Sequence, residues 1–392
     1  MARTETGHSE GESELLHWIV FWITVGFLIY FSLNFRTYTR FNRALDRAGK
    51  ERAEPVRHIS VLIPARNEEH NIGDCLRSIL HNKYPSFEVI LMDDGSTDST
   101  SQIAKGVNDP RLRVVRAPEK PAGWVGKNWA CHQLSLEARH PILLFMDADT
   151  RLTPDALWRI NALFTLTDAD VLSGCPKQIP TSFLDRVLLP IMPLLPMATL
   201  PLFKIGDFRF VRSAIHGAFI VIRKDFYQKT GGYETIKGQW VDDAALNKVL
   251  VKRRSKTEML DMTKIVSCRM YTSPKDTIEG FARSLYHELF GMVPLIIFLM
   301  AMLFLATIVP FLLLIFSRSV EQLALSLWAI GVITGIVWVS NRKYGFPWYS
   351  AFLLPLMFFT VAYTAYKSIQ GSRKKNMTWK GRPITDERPS PR

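Results

Sequence analysis

Four stretches of the chain carry no charged side chain: residues 15–35, 289–316, 322–341 and 346–366. About 20 apolar residues in a helix match the hydrocarbon thickness of a bilayer. Residues 15–35 therefore predict a transmembrane anchor, and 289–366 a membrane region with about three apolar spans. Between these flanks, residues 56–288 alternate short apolar runs with polar stretches. HISVLIP (58–64), FEVILMD (87–93), LRVVR (112–116) and PILLFMD (141–147) read as buried parallel strands. The stretches 68–81, 98–107 and 127–139 read as helices between them. Strand and helix in alternation predict an α/β fold with a doubly wound, mostly parallel sheet, whose ligands bind at the carboxyl ends of the strands.

Residues 183–205 break this pattern. They are apolar, yet carry Pro190, Pro193, Pro196 and Pro201. Proline removes backbone donors and clashes with the preceding turn, which excludes a regular spanning helix. The segment reads either as a membrane-interface element at the mouth where a lipid enters, or as a buried loop.

Charge sharpens the picture. The formal net charge is +13, but it is concentrated beside the apolar spans. Residues 36–52 hold six Lys or Arg against two acids, and the tail 367–392 holds eight against two. The first fourteen residues hold one Arg against four Glu. Basic flanks mark the cytoplasmic side of a span, so residues 1–14 form an acidic tail outside and 36–55 a basic linker inside, leading to a cytoplasmic domain. The expected location is the plasma membrane, multi-pass. A signal peptide would place its basic residues before the apolar run and a small-residue cleavage site after it, and this run shows neither. Three further crossings would leave the basic tail 367–392 outside, against the same rule, so one of those spans is expected to be re-entrant or interfacial. The basic excess lies at membrane edges, so no nucleic-acid partner is expected. Cys75, Cys131, Cys175 and Cys268 have neither zinc nor disulfide spacing and read as reduced thiols. Together these features exclude a wholly soluble protein, a disordered chain and a disulfide scaffold.

The candidate chemistry falls at strand ends. Pro64, Ala65, Arg66, Asn67 and Glu68 follow the first strand, beside the start of the next helix. Asp93 and Asp94 close the second and can accept hydrogen bonds from a nucleobase or a ribose. The plainer alternative is a turn at Asp94-Gly95 with Asp98 as a helix N-cap. Asp147 and Asp149 end the fourth strand; two carboxylates one residue apart can converge on Mg2+ or Mn2+, with positions left for a diphosphate. Lys127, in the string PAGWVGKNWA (121–130), faces a phosphate or ribose, or else solvent on a surface loop. Asp242 and Asp243 open a helix, where acids suit the positive end of its dipole, either as a catalytic base or as an N-cap. His216, before an apolar strand at 218–222, reads as a structural histidine that could border an acceptor site.

The ordered set PARNE, DDGSTD, GWVGKNWACHQ, DAD and VDD resembles the family 2 glycosyltransferases with the nucleotide-sugar-binding GT-A fold, over roughly residues 58–290. The resemblance implies that Pro64 to Glu68, Asp93 and Asp94 hold the nucleoside. It implies that Asp147 and Asp149 hold the metal and diphosphate, and that Asp243 is the catalytic base. Family members usually have Glu-Asp where this chain has Asp242-Asp243, so Asp243 is preferred over Asp242. GWVGKNWACHQ, Arg269-Met-Tyr, Glu279-Gly-Phe and Trp379-Lys-Gly-Arg382 are similar to strings in membrane members that glycosylate carotenoid acids, and the first also to hopanoid-associated relatives. A processive synthase would carry Q-x-x-R-W near the membrane. Here Gly280-Phe-Ala-Arg-Ser-Leu-Tyr has neither the Gln nor the Trp.

The reading is a metal-dependent, inverting hexosyltransferase that moves one sugar from a nucleotide diphosphate donor, UDP-linked, to a membrane-borne lipid or isoprenoid acceptor. A polyprenyl-phosphate sugar transferase shares fold and donor and differs in its acceptor. A non-catalytic membrane scaffold on the same fold would have no use for clustered carboxylates.

Overall fold

The structure, a computed structural model, describes residues 2–48, 54–199, 215–288 and 292–374, with 378–379 and 382–383. It divides into two compact units: Thr37–Ile179, Lys204–Met270 and Lys375–Arg392 form one, and Met1–Arg36, Pro180–Phe203 and Tyr271–Lys374 the other. The chain opens with helix α1 (Ala2–Ala48).

The first unit is α/β. Its strands begin with β1 (Ile59–Ala65), followed by α2 (Ile72–Leu80), β2 (Phe87–Asp93), α3 (Thr100–Lys105), β3 (Leu112–Arg116), α4 (Gly126–Glu137) and β4 (Ile142–Met146). Strands β1, β2 and β4 are the predicted apolar runs, and every residue but Pro64 is buried. Helices cover both faces of the sheet, so these strands are mostly apolar, and buried Ser60 donates its Oγ to Glu88 Oε1 at 2.7 Å. Strand β3 departs from the expectation of a buried strand. It pairs only with β2, at the sheet edge, and its Arg113 and Arg116 blunt that edge. Helix α2 buries Ile72, Cys75, Leu76 and Ile79, one face at helical spacing. It starts at Ile72 rather than 68, and α3 at Thr100 rather than 98, because the residues before them bond to the opposite loop.

After β4 come β5 (Thr150–Leu152), α5 (Ala156–Thr167), β6 (Val171–Cys175) and β7 (Lys177–Gln178). The chain leaves the unit through two short helices, α6 (Phe183–Leu188) and α7 (Ile191–Thr199). It returns as β8 (Phe219–Arg223), α8 (Lys224–Thr230), α9 (Asp242–Lys252), β9 (Thr257–Asp261) and β10 (Val266–Cys268). The main sheet runs β3-β2-β1-β4-β8-β6-β9. Strand β8 is antiparallel to β4 and β6, and the other pairs are parallel. A smaller sheet, β5-β10-β7, follows the end of β4.

The second unit is helical. Helix α10 (Pro274–Glu288) precedes α11 (Val293–Thr307) and α12 (Val309–Ile315), which part where Pro310 interrupts the hydrogen-bond ladder. Helix α13 (Val320–Tyr344) is capped by Ser319, whose Oγ accepts from Gln322 N at 3.1 Å, and ends at Gly345 with φ +78°. Among the described residues three helical stretches are long and apolar enough to cross a membrane: Glu12–Arg36, Val293–Ile315 and Val320–Tyr344. The run 346–366, expected as a further span, is not one of them. A 3-10 turn (Trp348–Phe352) breaks it before α14 (Leu354–Lys374) begins, and α14 packs on α10, α11 and α6.

Over its described residues, 183–199, the proline-rich segment forms two short helices rather than one spanning helix. Pro190 separates α6 from α7, and Pro193 sits in the first turn of α7, where its missing N–H costs little. Asp185 anchors α6 through a capping box with Ser182, and Thr277 Oγ1 donates to it across to α10. Asn34 Nδ2 of α1 donates to Met197 O at 2.7 Å. Residues 200–214, including Pro201, lie outside the described residues, as do 380–381 of the terminal Trp379-Lys-Gly-Arg382 string.

Candidate active site

The loops after β1 and β2 are laced together. Pro64 and Ala65 are the last residues of β1 itself, paired with Met92 and Asp93. Arg66 Nη1 donates to the carbonyls of Asp94 and Gly95. Asn67 has φ +53°, a conformation asparagine tolerates. Its N–H donates to Ser96 Oγ at 3.1 Å and its Oδ1 accepts from Thr97 N at 2.8 Å. Glu68 N donates to Thr100 Oγ1 at 2.7 Å and Glu69 N to Asp98 Oδ2 at 3.1 Å. Asp93 is buried, with Oδ1 accepting from Ser96 N at 2.9 Å, and buried Asp94 donates its N–H to Ala65 O at 2.9 Å. Arg66 and Asn67 thus spend polar groups on holding one rigid platform. Asp98 is not the N-cap residue expected: Ser99 holds that position, and Asp98 accepts from Thr100 N at 3.0 Å and from Glu69 N.

Asp147 and Asp149 lie in the turn between β4 and β5. Lys127, in the first turn of α4, places Nζ 2.9 Å from Asp147 Oδ1 and 3.2 Å from Asp242 Oδ2. Asp242 and Asp243 open α9, as predicted. Asp243 Oδ1 accepts from Ala244 N at 2.7 Å and Oδ2 from Gly217 N at 3.1 Å. A Cβ on Gly217 would lie 3.3 Å from Asp243 Oδ2, so this approach favours glycine. Tyr233, buried, donates to Asp242 Oδ2 at 3.5 Å. Asn128, buried beside Lys127, donates Nδ2 to the carbonyls of Ile236 and Gln239, both at 2.8 Å, and so ties down the loop that leads into α9.

Electrostatics follow from this crowding. Burial, then Asp147 and Glu68, push the Asp149 carboxyl up to about 7. Burial, then Asp242, push Asp243 up to about 6, against the pull of Lys127. Burial opposes a charge on Lys127, but Asp147 and Asp242 outweigh it and hold the ammonium well above its ordinary value. His216, read from the sequence as structural, sits in this electrostatic environment. Burial and then Lys127 lower its imidazole to about 4, and Nδ1 accepts from Ala218 N at 3.3 Å, leaving the ring proton on Nε2.

The acidic centre fits a hard divalent cation. Its donors are carboxylate oxygens, which a hard cation prefers. Among the described residues no group of three His, Cys, Asp or Glu comes together to hold a metal ion; a Mg2+ or Mn2+ ion at Asp147 and Asp149 would need phosphate oxygen to complete its ligands.

The sequence motifs identified Lys127 and all four aspartates now found around one centre, but missed Asn128 and Tyr233. Asn128 adjoins Lys127, yet a helical asparagine carries no signal of the loop it holds.

The model of glycosyl transferase family 2 matches residues 60–230, a stretch that includes both laced loops, Lys127, Asp147 and Asp149. A 4,4'-diaponeurosporenoate glycosyltransferase of Staphylococcus aureus is 28% identical to the chain over 248 residues, 62% of this chain and 65% of that protein. The match therefore spans just under two thirds of that relative's length. Among solved structures, mannosyltransferase PcManGT from Pyrobaculum calidifontis, in complex with GDP-Man and Mn2+, is 15% identical, covering 89% of this chain and 99% of its own, with a TM-score of 0.47. Residues 1–349 of S. aureus TarS are 19% identical, covering 81% and 91%, with a TM-score of 0.40.

Proposed function

We propose that the chain is a membrane-bound, metal-dependent, inverting glycosyltransferase that moves one hexose from a UDP-linked donor to an isoprenoid-type lipid acceptor. One observation carries this reading: Lys127 joins Asp147 at the end of β4 to Asp242 at the start of α9. The diphosphate-binding acids and the base pair thereby belong to one centre, where donor and acceptor must meet. Asp243 is the base for a hydroxyl acceptor. The N–H groups of Gly217 and Ala244 fix its carboxylate, and a pKa of about 6 leaves it ionised at neutral pH yet basic enough to take a proton. When bound, a divalent cation supplies positive charge for the departing diphosphate. Lys127 moves from its carboxylates toward the same phosphates. The laced loops hold the nucleoside through Asp93 and Asp94.

Single transfer is favoured because Q-x-x-R-W is absent. The acceptor class is supported by the name of the staphylococcal relative and by the long apolar helices. With three spans rather than four, the N-terminus lies outside and the α/β unit and the chain beyond α13 lie in the cytoplasm. Arg342, Lys343 and the basic tail then all obey the positive-inside rule.

The test is donor binding by the full chain in detergent, across UDP-glucose, UDP-galactose, UDP-N-acetylglucosamine and GDP-mannose, with Mn2+, Mg2+ or EDTA. Metal-dependent binding of one UDP-sugar, lost in Asp149→Ala, is expected. Absence of binding to every donor with metal present would overturn the reading.

A further inference from the structure

Residues 216–218 bridge the two sides of the acidic centre. Ala218 O accepts from Asp147 N at 3.2 Å, and Gly217 N donates to Asp243 Oδ2 at 3.1 Å. One end of the bridge thus adjoins the acid proposed for the diphosphate, and the other the acid proposed as base. Lys127, which joins Asp147 to Asp242, acts together with Asp242 on the imidazole of His216.

Most polar groups of the bridge are spent on holding it in place. His216 N donates to Ser173 Oγ at 2.9 Å, and that hydroxyl donates to Phe219 O at 2.7 Å. His216 O accepts from Phe219 N at 3.0 Å. Ala218 N can only donate, so its 3.3 Å bond to Nδ1 fixes His216 as the tautomer with its proton on Nε2. The same bond keeps His216 from acting as the base, because its one unprotonated nitrogen is occupied. The Nε2–H has no partner among the described residues, and the side chain is only partly buried.

We propose that His216 reads the transferred hexose, its Nε2–H donating to one hydroxyl of the sugar; this deepens, and rests on, the transferase reading above. In an in-line transfer the anomeric carbon stands between the departing diphosphate and the acceptor oxygen, which the base must reach. With the diphosphate at Asp147 and the base at Asp243, the sugar ring lies against the segment that joins those two residues. A neutral N–H suits an uncharged hydroxyl there. A lysine or arginine in its place would pair with the neighbouring carboxylates, as Lys127 does, and be lost to the sugar.

The test measures binding by the full chain in detergent with Mn2+ or Mg2+, comparing UDP with UDP-glucose, UDP-galactose and UDP-N-acetylglucosamine. His216→Asn keeps an oxygen where Nδ1 accepts from Ala218 N and removes the donor at Nε2. His216→Gln places an amide N–H near the Nε2 position and gives up the Nδ1 acceptor. His216→Asn is expected to weaken binding of the preferred UDP-sugar about 3- to 10-fold, the loss of one hydrogen bond, while the Kd for UDP stays within twofold. His216→Gln should recover part of the loss. The unaltered chain should bind one monodeoxy analogue of that sugar nucleotide more weakly than the parent, and His216→Asn should bind the two alike. Unchanged UDP binding shows that the variants are folded. A UDP-sugar Kd unchanged in His216→Asn overturns the proposal and leaves His216 a brace for Ala218. An equal loss for UDP and UDP-sugar overturns it too, since the contact would then lie with the diphosphate or the fold. If the unaltered chain binds no donor, the transferase reading falls and this proposal with it. If it binds a UDP-sugar and every monodeoxy analogue equally well, this proposal alone falls.

Discussion

Lys127 Nζ and Asp242 Oδ2 stand 3.2 Å apart, joining the first turn of α4 to the first turn of α9. The same ammonium is 2.9 Å from Asp147. Removing it strands two carboxylates beside Asp149. Lys127→Met is expected to lower stability by about 1–3 kcal/mol, the cost of leaving buried charged groups unpaired, and to weaken donor binding in the same protein. Denaturant titration in detergent, read beside a donor-binding isotherm, checks both. A variant that is less stable but binds donor normally would confine Lys127 to structure.

Variants at Asp243 and Asp149 separate the proposed base from the proposed metal site. Asp243→Asn keeps the size of the side chain and removes its basicity, so transfer to an alcohol acceptor should fall at least 100-fold while metal-dependent UDP binding stays intact. Asp149→Ala should lose that binding itself. Should Asp243→Asn turn over alcohols normally, Asp242 becomes the base to test, through Asp242→Asn.

The raised carboxyl of Asp149 has a consequence for stability. Its folded pKa is about 7, against about 3.9 in an unfolded chain. Between those values the folded state binds a proton that the unfolded state does not, so this group's contribution falls as pH rises toward 7 and is flat above it. Asp149→Asn should therefore gain melting temperature over the unaltered, metal-free chain, by an amount that grows from pH 5.5 to 7.5. Thermal melts across that range decide it, and a difference that is constant with pH would show that Asp149 titrates normally.

Asn128 touches no proposed substrate group, yet it holds the loop before Asp242. Asn128→Ala removes donors to Ile236 O and Gln239 O and leaves buried carbonyls unsatisfied, which costs about 1–3 kcal/mol. The expected kinetic signature is a fall in kcat with little change in donor KM, because the platform of the β1 and β2 loops is untouched. A rise in donor KM at constant kcat would contradict it.

Much of this was legible in the residues. Apolar runs located β1, β2 and β4 and the polar residues that follow them, since a strand buried on both faces is mostly apolar and most polar residues wait for its end. The edge position of β3 was not legible: LRVVR is apolar enough for either place, and only its pairing with β2 alone decides. The antiparallel β8 between β4 and β6 was equally hidden, because strand order depends on long-range pairing that local pattern does not encode. His216 read as structural because a single histidine before a strand has no signature of the charges that the fold brings near it.

By itself the sequence determined the α/β class, the apolar helices and the acids at the strand ends, since periodicity, charge-free length and strand-end chemistry are local properties. Tertiary structure decided what those acids do to one another. Asp147 and Asp242 lie 95 positions apart and meet only through Lys127. Coulomb energy depends on distance in space, and that distance is set by sheet order rather than by position along the chain.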